Sequence, residues 1–339
     1  MDHHQPGRTA GGDGDRQLSQ EPSIGALWRG WRDVLGRLGF ASAALDAKLL
    51  TGHALGMSTL ELATRENEPA DSAGVARVAD LLQRRMSGES VARIIGARAF
   101  YGLDFLLNEA TLEPRPETEL LVDLALGALP AAGRLLDLGT GTGCIPIAVL
   151  ANQPDAFAVA VDLSGRALEA ARDNAARHGV AGRIEFLPGS WFEPLTTSPF
   201  GGEVDPTSDR VRGPLLGARG EGPLTWTSAD LYSKGREKFD LIVSNPPYIS
   251  SAVVETLAPE VKDFDPRLAL DGGPDGLAPY RIIAREASDW LAPDGWVLVE
   301  IGFDQGAAVS ALFLEAGYDD VTVHTDLNGL DRVVAARHI

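Results

Sequence analysis

The apolar positions of this chain fall into two regimes. Between residues 24 and 86 they recur at helical spacing. From residue 134 onward they form short runs that alternate with helical stretches. In the first regime Ile24, Leu27, Trp28, Trp31, Val34, Leu35 and Leu38 mark one amphipathic helix. Ala41 to Leu55 reads as a second, entered through Ser42 and stopped at Gly56. A short third helix fits Thr59 to Thr64, and Val75, Val78, Leu81, Leu82 and Met86 mark a fourth. The Trp and Leu stripes read as core packing. Residues 22–92 are expected to form a small all-α domain. Residues 1–21, rich in Gly, Asp and Gln, are expected to be a disordered tail.

Two aromatic-rich stretches, Ala99-Phe100-Tyr101 and Leu103-Asp104-Phe105, flank Gly102 and predict a hairpin inside a connector over residues 93–113. Pro114 and Pro116 prevent a helix before Glu117, which then runs to about Leu129. Beyond it, strands fit Arg134–Leu138, Phe157–Val161, Ile184–Leu187, Phe239–Ser244 and Trp296–Ile301, with last strands at Asp320–His324 and Arg332–Ala336. Helices fit Gly143–Asn152, Ser164–His178, Ala278–Trp290 and Gln305–Ala316. Strand runs separated by helices imply a parallel sheet covered on both faces. The fold class is therefore α/β over residues 114–339. Residues 196–237 break the pattern with many Gly, Pro, Ser and Thr, and are expected to be a disordered insertion.

Composition narrows the partners. The 339 residues carry 30 Lys plus Arg against 48 Asp plus Glu, a formal charge of −18. Phosphate-dominated binding of nucleic acid needs a basic surface, so that partner is not expected. The single cysteine, Cys144, excludes an intrachain disulfide and a cysteine-based zinc site, and no metal-ligand cluster is visible. No apolar run approaches the roughly 18 residues of a membrane span, and the first residues lack the apolar core of a signal peptide. A cytoplasmic protein without a membrane partner is the expectation.

Two motifs carry chemistry. In the first, an apolar strand ends in Asp137 and is followed by Gly139-Thr140-Gly141-Thr142-Gly143 and a helix. Glycines belong where backbone turns sharply and a ligand approaches closely. The spacing is neither that of dinucleotide binders nor that of a phosphate loop. Asp137 would repel a pyrophosphate but could neutralise an ammonium group. Asp162, which ends the next strand 19 residues after Gly143, could accept hydrogen bonds from both ribose hydroxyls. The second motif is Asn245-Pro246-Pro247-Tyr248, at the carboxyl end of the strand Phe239–Ser244. The Asn245 side-chain oxygen and the Pro246 carbonyl could act as two convergent acceptors, which suits an NH2 group. Tyr248 could pack on a planar group. The target is a nitrogen conjugated to a planar system, either an amide or an exocyclic base amine.

The first motif resembles the S-adenosylmethionine site of the class I, Rossmann-like methyltransferases. The resemblance implies a seven-stranded sheet with one reversed strand near the C-terminus. It also implies that the Gly139–Gly143 loop wraps the methionine part of the donor and that Asp162 holds the ribose. The Asn-Pro-Pro-Tyr quartet occurs in two classes of such enzymes. One methylates the amino groups of nucleic-acid bases. The other, the HemK/PrmC family, methylates the side-chain amide of the Gly-Gly-Gln glutamine in peptide chain release factors.

The chain resembles HemK/PrmC over roughly residues 24–339, outside the insertion. The helical N-terminal domain has the right size, and the hairpin resembles the family's connector. Pro114-Arg115-Pro116-Glu117-Thr118-Glu119, Ser190-Trp191-Phe192, the run from Ala269 to Leu277, Glu300-Ile301-Gly302 and the closing Asp326–Val334 come in the family's order. The resemblance implies that Asn245, Pro246 and Tyr248 are catalytic. Donor binding would fall to Asp137, the Gly139–Gly143 loop, Asp162, Trp191 and Asn245. The acceptor would meet Asn245, Pro246, Pro247, Tyr248 and Phe100, with Arg115, Glu117, Thr118 and Glu119 as a further motif. A monomer acting on release factors is expected, with a nucleic-acid amino-methyltransferase as the alternative. Ser190 stands where the family usually has Asp, so the adenine would be held differently there.

Overall fold

The structure is a computed structural model that describes residues 21–196 and 238–339. The expected tail and insertion lie, but for Glu21 and Thr196, outside the described residues. The chain divides into two compact units between Ile95 and Gly96.

The first unit is all-α. Its helices are α1 Ile24–Arg37, α2 Ala43–Leu55, α3 Thr59–Thr64, α4 Ser72–Met86 and α5 Val91–Ile95. Short polar side chains start three of them by accepting orphan backbone N–H groups. Ser23 takes Ala26, Asp71 takes Gly74, and Ser58 forms a reciprocal box with Glu61. Ser42 precedes α2 without capping it, so the helix starts at Ala43 rather than Ala41. Gly56 ends it in the left-handed region at φ 65°, as its position predicts. Leu35, Leu50, Val78 and Leu82 are fully buried between the helices. Trp28 and Trp31 are packed on the rim of this cluster instead of inside it. The sequence pattern does not show α5, because five residues are too few to display a period.

The second unit opens with the predicted hairpin, β1 Ala97–Phe100 and β2 Leu103–Leu106, closed by Tyr101 and Gly102 at positive φ. Glu119 accepts from the Tyr101 backbone N–H at 2.8 Å and Asp123 from the Tyr101 hydroxyl at 2.6 Å, which fastens the turn to α6, Glu119–Ala128. The sheet then builds from β3 Arg134–Leu138, α7 Cys144–Asn152, β4 Phe157–Asp162, α8 Gly165–Arg177, β5 Ile184–Pro188 and β6 Phe239–Ser244. It is completed by β7 Leu291–Glu300, β8 Asp319–Thr325 and β9 Asp331–Arg337. Strand order is β5-β4-β3-β6-β7-β9-β8, and β9 runs antiparallel to both neighbours while the remaining pairings are parallel. This is the seven-stranded, singly reversed sheet expected. The helix Ala278–Glu286 stops four residues short of its predicted end and passes into a tight 3-10 turn at Ala287–Asp289.

Strand order reverses between β3 and β6. At such a switch the connections leave to opposite sides and a crevice opens beyond the strands' carboxyl ends. The glycine loop leaves β3 there and the Asn-Pro-Pro-Tyr segment leaves β6. The buried Ser244 hydroxyl donates to the Leu138 carbonyl at 2.6 Å, pinning the two strand ends side by side.

Candidate active site

The glycine loop has the conformation its composition demands. Gly139, Gly141 and Gly143 have φ of 77°, 56° and 78°, where a side chain is strained. Around Gly139 and Gly141 the space a Cβ would enter is empty, whereas at Gly143 it would meet Ile147 at 2.8 Å and Ala171 at 3.3 Å. The first two glycines thus leave room on the cavity side, and the third permits close helix packing. The Val161 carbonyl accepts from the N–H groups of Gly139 and Thr140. Asp162 accepts from Gly141 through Oδ2 and from Ser164 through Oδ1, both at 2.8 Å. Burial raises the Asp162 pKa, and these two hydrogen bonds oppose the rise.

Asp137 lies behind the loop, wholly buried, and neither carboxylate oxygen has a hydrogen-bond partner. Burial pushes its pKa up to about 7, against a lowering by the neighbouring Thr140 hydroxyl. Thr140 Oγ1 is itself buried without a partner at hydrogen-bonding geometry. Unpaired groups of this kind are costly and mark a place where a polar ligand or water completes the shell. Cys144, directly after the loop, is buried with its thiol pushed up to about 12, which suits packing and not nucleophilic attack.

One cavity of about 590 Å³ joins the two motifs. Gly139, Thr140, Gly141, Thr142, Asp162 and Trp191 line one end, and Arg115, Thr118, Asn245 and Pro247 line the other. Trp191 holds a positive φ of 49°, a strained conformation for an aromatic residue and one that turns up at functional sites. Arg115 donates to Asp265 at 2.8 Å, tying the segment that follows β6 to the start of the wall. Asn245 donates its side-chain Nδ2 to the Thr118 hydroxyl at 3.2 Å. Pro246, Tyr248, Glu117 and Glu119 do not line the cavity. Pro246 is buried. Tyr248 packs against the apolar core on one face of the sheet, its hydroxyl pushed up to about 12 by burial. Glu117 is exposed and Glu119 holds the hairpin.

Phe100 requires a correction. It does not reach the cavity. It is 2% exposed and packs edge-on against Phe105 within the core of the second unit. Hairpin aromatics face either way by strand register, and here the inward register places Phe100 in the core.

Three residues outside the expected set shape the site. Glu300, at the end of β7, is buried behind Thr118 and Asn245. Gln305 donates to the Tyr248 carbonyl at 3.0 Å and accepts from the Gly302 N–H at 2.9 Å. Asp265 anchors Arg115. The available signal was a carboxylate ending an otherwise apolar strand, Val297-Leu298-Val299-Glu300. Among the described residues no group of His, Cys, Asp and Glu could hold a metal ion, and no helix is long and apolar enough to cross a membrane.

Comparison with known proteins agrees with this architecture. Residues 26–96 match the PrmC N-terminal domain, and residues 116–200 match the methyltransferase small domain. A release factor glutamine methyltransferase of Agrobacterium fabrum is 41% identical over 312 residues, covering 90% of this chain and 94% of that protein. Its counterparts from Geobacter sulfurreducens and Caulobacter vibrioides are 36% and 39% identical, covering 94% and 91% of this chain and 99% and 93% of theirs. With a helical domain of the PrmC type, a singly reversed seven-stranded sheet and relatives of that likeness along nearly their whole length, the chain belongs to the release factor glutamine methyltransferase family.

Proposed function

We propose that this protein transfers a methyl group from S-adenosylmethionine to the side-chain amide nitrogen of the glutamine in the Gly-Gly-Gln motif of peptide chain release factors. The observation that carries this reading is the single cavity joining the glycine loop to Asn245. The residues present fit a sulfonium donor. Empty space stands over Gly139 and Gly141, and Asp137 and Thr140 keep unpaired polar atoms beside the loop. The loop would hold the methionine part, with Asp137 behind it as the negative charge nearest an ammonium. Asp162 retains lone pairs for ribose hydroxyls, and Trp191 and Ser190 would meet the adenine. The donor supplies an electrophilic methyl group.

An amide nitrogen is a poor nucleophile, because its lone pair is delocalised into the carbonyl. The chain's task is orientation. The Asn245 oxygen and the Pro246 carbonyl would accept the two amide hydrogens and aim the nitrogen at the methyl group. Most of the gain then comes from proximity and fixed dipoles. As the carbon–nitrogen bond forms, the methyl–sulfur bond would break and leave a neutral thioether; the N-protonated amide so formed is acidic enough to lose its proton to water, so no strong base is required. The proposed substrate is met in the cytoplasm, and action there as a monomer is part of the same reading.

The test is transfer of tritiated methyl from labelled donor to purified release factor, with and without its Gly-Gly-Gln glutamine replaced. Label that persists after the replacement overturns the assignment. Label on duplex DNA or RNA instead would favour a base amino-methyltransferase, which the charge of −18 argues against.

A further inference from the structure

Asn245 can present either end of its amide to the cavity, and only the oxygen end can accept hydrogens from an acceptor amide. Behind it sits Glu300, 1% exposed, whose Oε2 has no hydrogen-bond partner. The register of β6 on β7, which pairs Ser244 with Val299, sets the next residues, Asn245 and Glu300, at neighbouring strand ends, and the Thr118 hydroxyl and the Asn245 amide both favour the ionised form of Glu300. Thr118, 2% exposed, also accepts from Asn245 Nδ2 at 3.2 Å. A carboxylate only accepts. When ionised it attracts the single Thr118 hydrogen, and Thr118 Oγ1 keeps a lone pair for Asn245 Nδ2. Both groups behind Asn245 then demand hydrogens, and its NH2 supplies two. The flipped amide would set its oxygen against a carboxylate and a hydroxyl oxygen.

We propose that Glu300 and Thr118 are positioning residues that lock Asn245 with its NH2 turned inward and its oxygen toward the cavity. The inference rests on the function proposed above and explains why a buried carboxylate stands at the end of β7. Arg332, Glu117, Tyr248, Tyr280 and Cys144 are the other ionisable groups within electrostatic reach of Glu300. The Arg332 guanidinium favours the ionised form and Glu117 opposes it, while burial is the larger effect and pushes Glu300 up to about 7. Part of the population is thus ionised at neutral pH, and a cationic donor in the cavity would favour that form further.

The test compares Thr118→Val, Thr118→Ser and Glu300→Gln in the full chain. Valine keeps the shape of threonine and loses the hydroxyl, whereas serine keeps the hydroxyl and loses a methyl group. A packing role ranks Val above or equal to Ser. The lock ranks Ser above Val. Single-turnover methylation at saturating donor should stay within threefold of wild type for Thr118→Ser. It should fall roughly 10- to 100-fold for Thr118→Val and Glu300→Gln, as expected of misplaced groups. Donor affinity by calorimetry should change less than threefold in all three. Equal rates for Val and Ser, or a Glu300→Gln rate within threefold of wild type, overturn the proposal. A second readout needs no acceptor. By NMR, hydrogen exchange of the Asn245 side-chain NH2 should be slow in wild type and Thr118→Ser and faster in the other two. Equal exchange in all four overturns the lock even if wild type proves inactive on release factor, an outcome that would by itself refute only the functional reading.

Discussion

Asp162 accepts from the Gly141 N–H at 2.8 Å, so the carboxylate that ends β4 also holds the middle of the glycine loop. Its other oxygen accepts from Ser164, at the start of α8. One side chain thus fixes the loop and the entry of the next helix before any ligand arrives. Preorganisation of this kind lowers the ordering cost of binding.

Replacing Asp162 with Ala removes both contacts and the negative charge. A hydrogen bond to a charged group contributes roughly 1.5–3 kcal/mol, so S-adenosylmethionine affinity should fall about 10- to 100-fold. Asp162→Asn keeps one acceptor oxygen and should lie between. Calorimetry at constant salt measures this, and an unchanged Kd for Asp162→Ala would remove the residue from the donor site.

Asn245→Ala should separate binding from chemistry. It removes an acceptor for the target NH2 and leaves Asp162 and the loop intact. Loss of one preorganised polar contact costs about 10²–10³ in rate. Single-turnover methylation should fall by that amount while donor Kd changes far less. Asn245→Asp should also be slow, because a second carboxylate beside Glu300 would force one of the two to keep a proton. A rate within threefold of wild type for Asn245→Ala would sink the role.

Asp137 and Glu300 make stability depend on pH in a defined direction. Burial raises Asp137 from 3.8 to about 7 and Glu300 from 4.5 to about 7. Each holds a proton more tightly folded than unfolded. Its contribution is therefore complete below about pH 4 and lost as pH rises through about 7. Asp137→Asn cannot ionise, so it should match the ligand-free wild type near pH 4 and melt progressively higher up to pH 8. Each pKa unit is about 1.36 kcal/mol, and each kcal/mol moves Tm by roughly 2–4 °C. Scanning calorimetry from pH 4 to 8 checks this, and a Tm difference that does not grow with pH contradicts it.

Separating the two units should separate donor binding from recognition of a large substrate. The described residues of the cavity wall all lie after Gly96, in the second unit. A chain of residues 96–339 should bind S-adenosylmethionine within about threefold of the full protein, the scatter expected where no contact is lost. It should methylate release factor poorly, because we assign part of the recognition of that substrate to the helical unit. Undiminished methylation by the shortened chain would take that role away.

Much of this was written locally in the sequence. The period of apolar residues set the helices and strands, because a helix or strand must show one apolar face wherever it stands. The strand Phe239–Ser244 and the helix Thr59–Thr64 have the predicted bounds. Gly139 and Gly141 announced their loop, since only glycine adopts those angles without strain. What the sequence could not show depended on residues far apart in the chain. Phe100 was legible as a hairpin aromatic, but whether it faced a ligand or the core was decided by strand register. Glu300 stands 55 residues after Asn245 and 182 after Thr118, and nothing local relates them. Only the sheet brings them together, by setting β7 beside β6 and burying a carboxylate close to those two side chains.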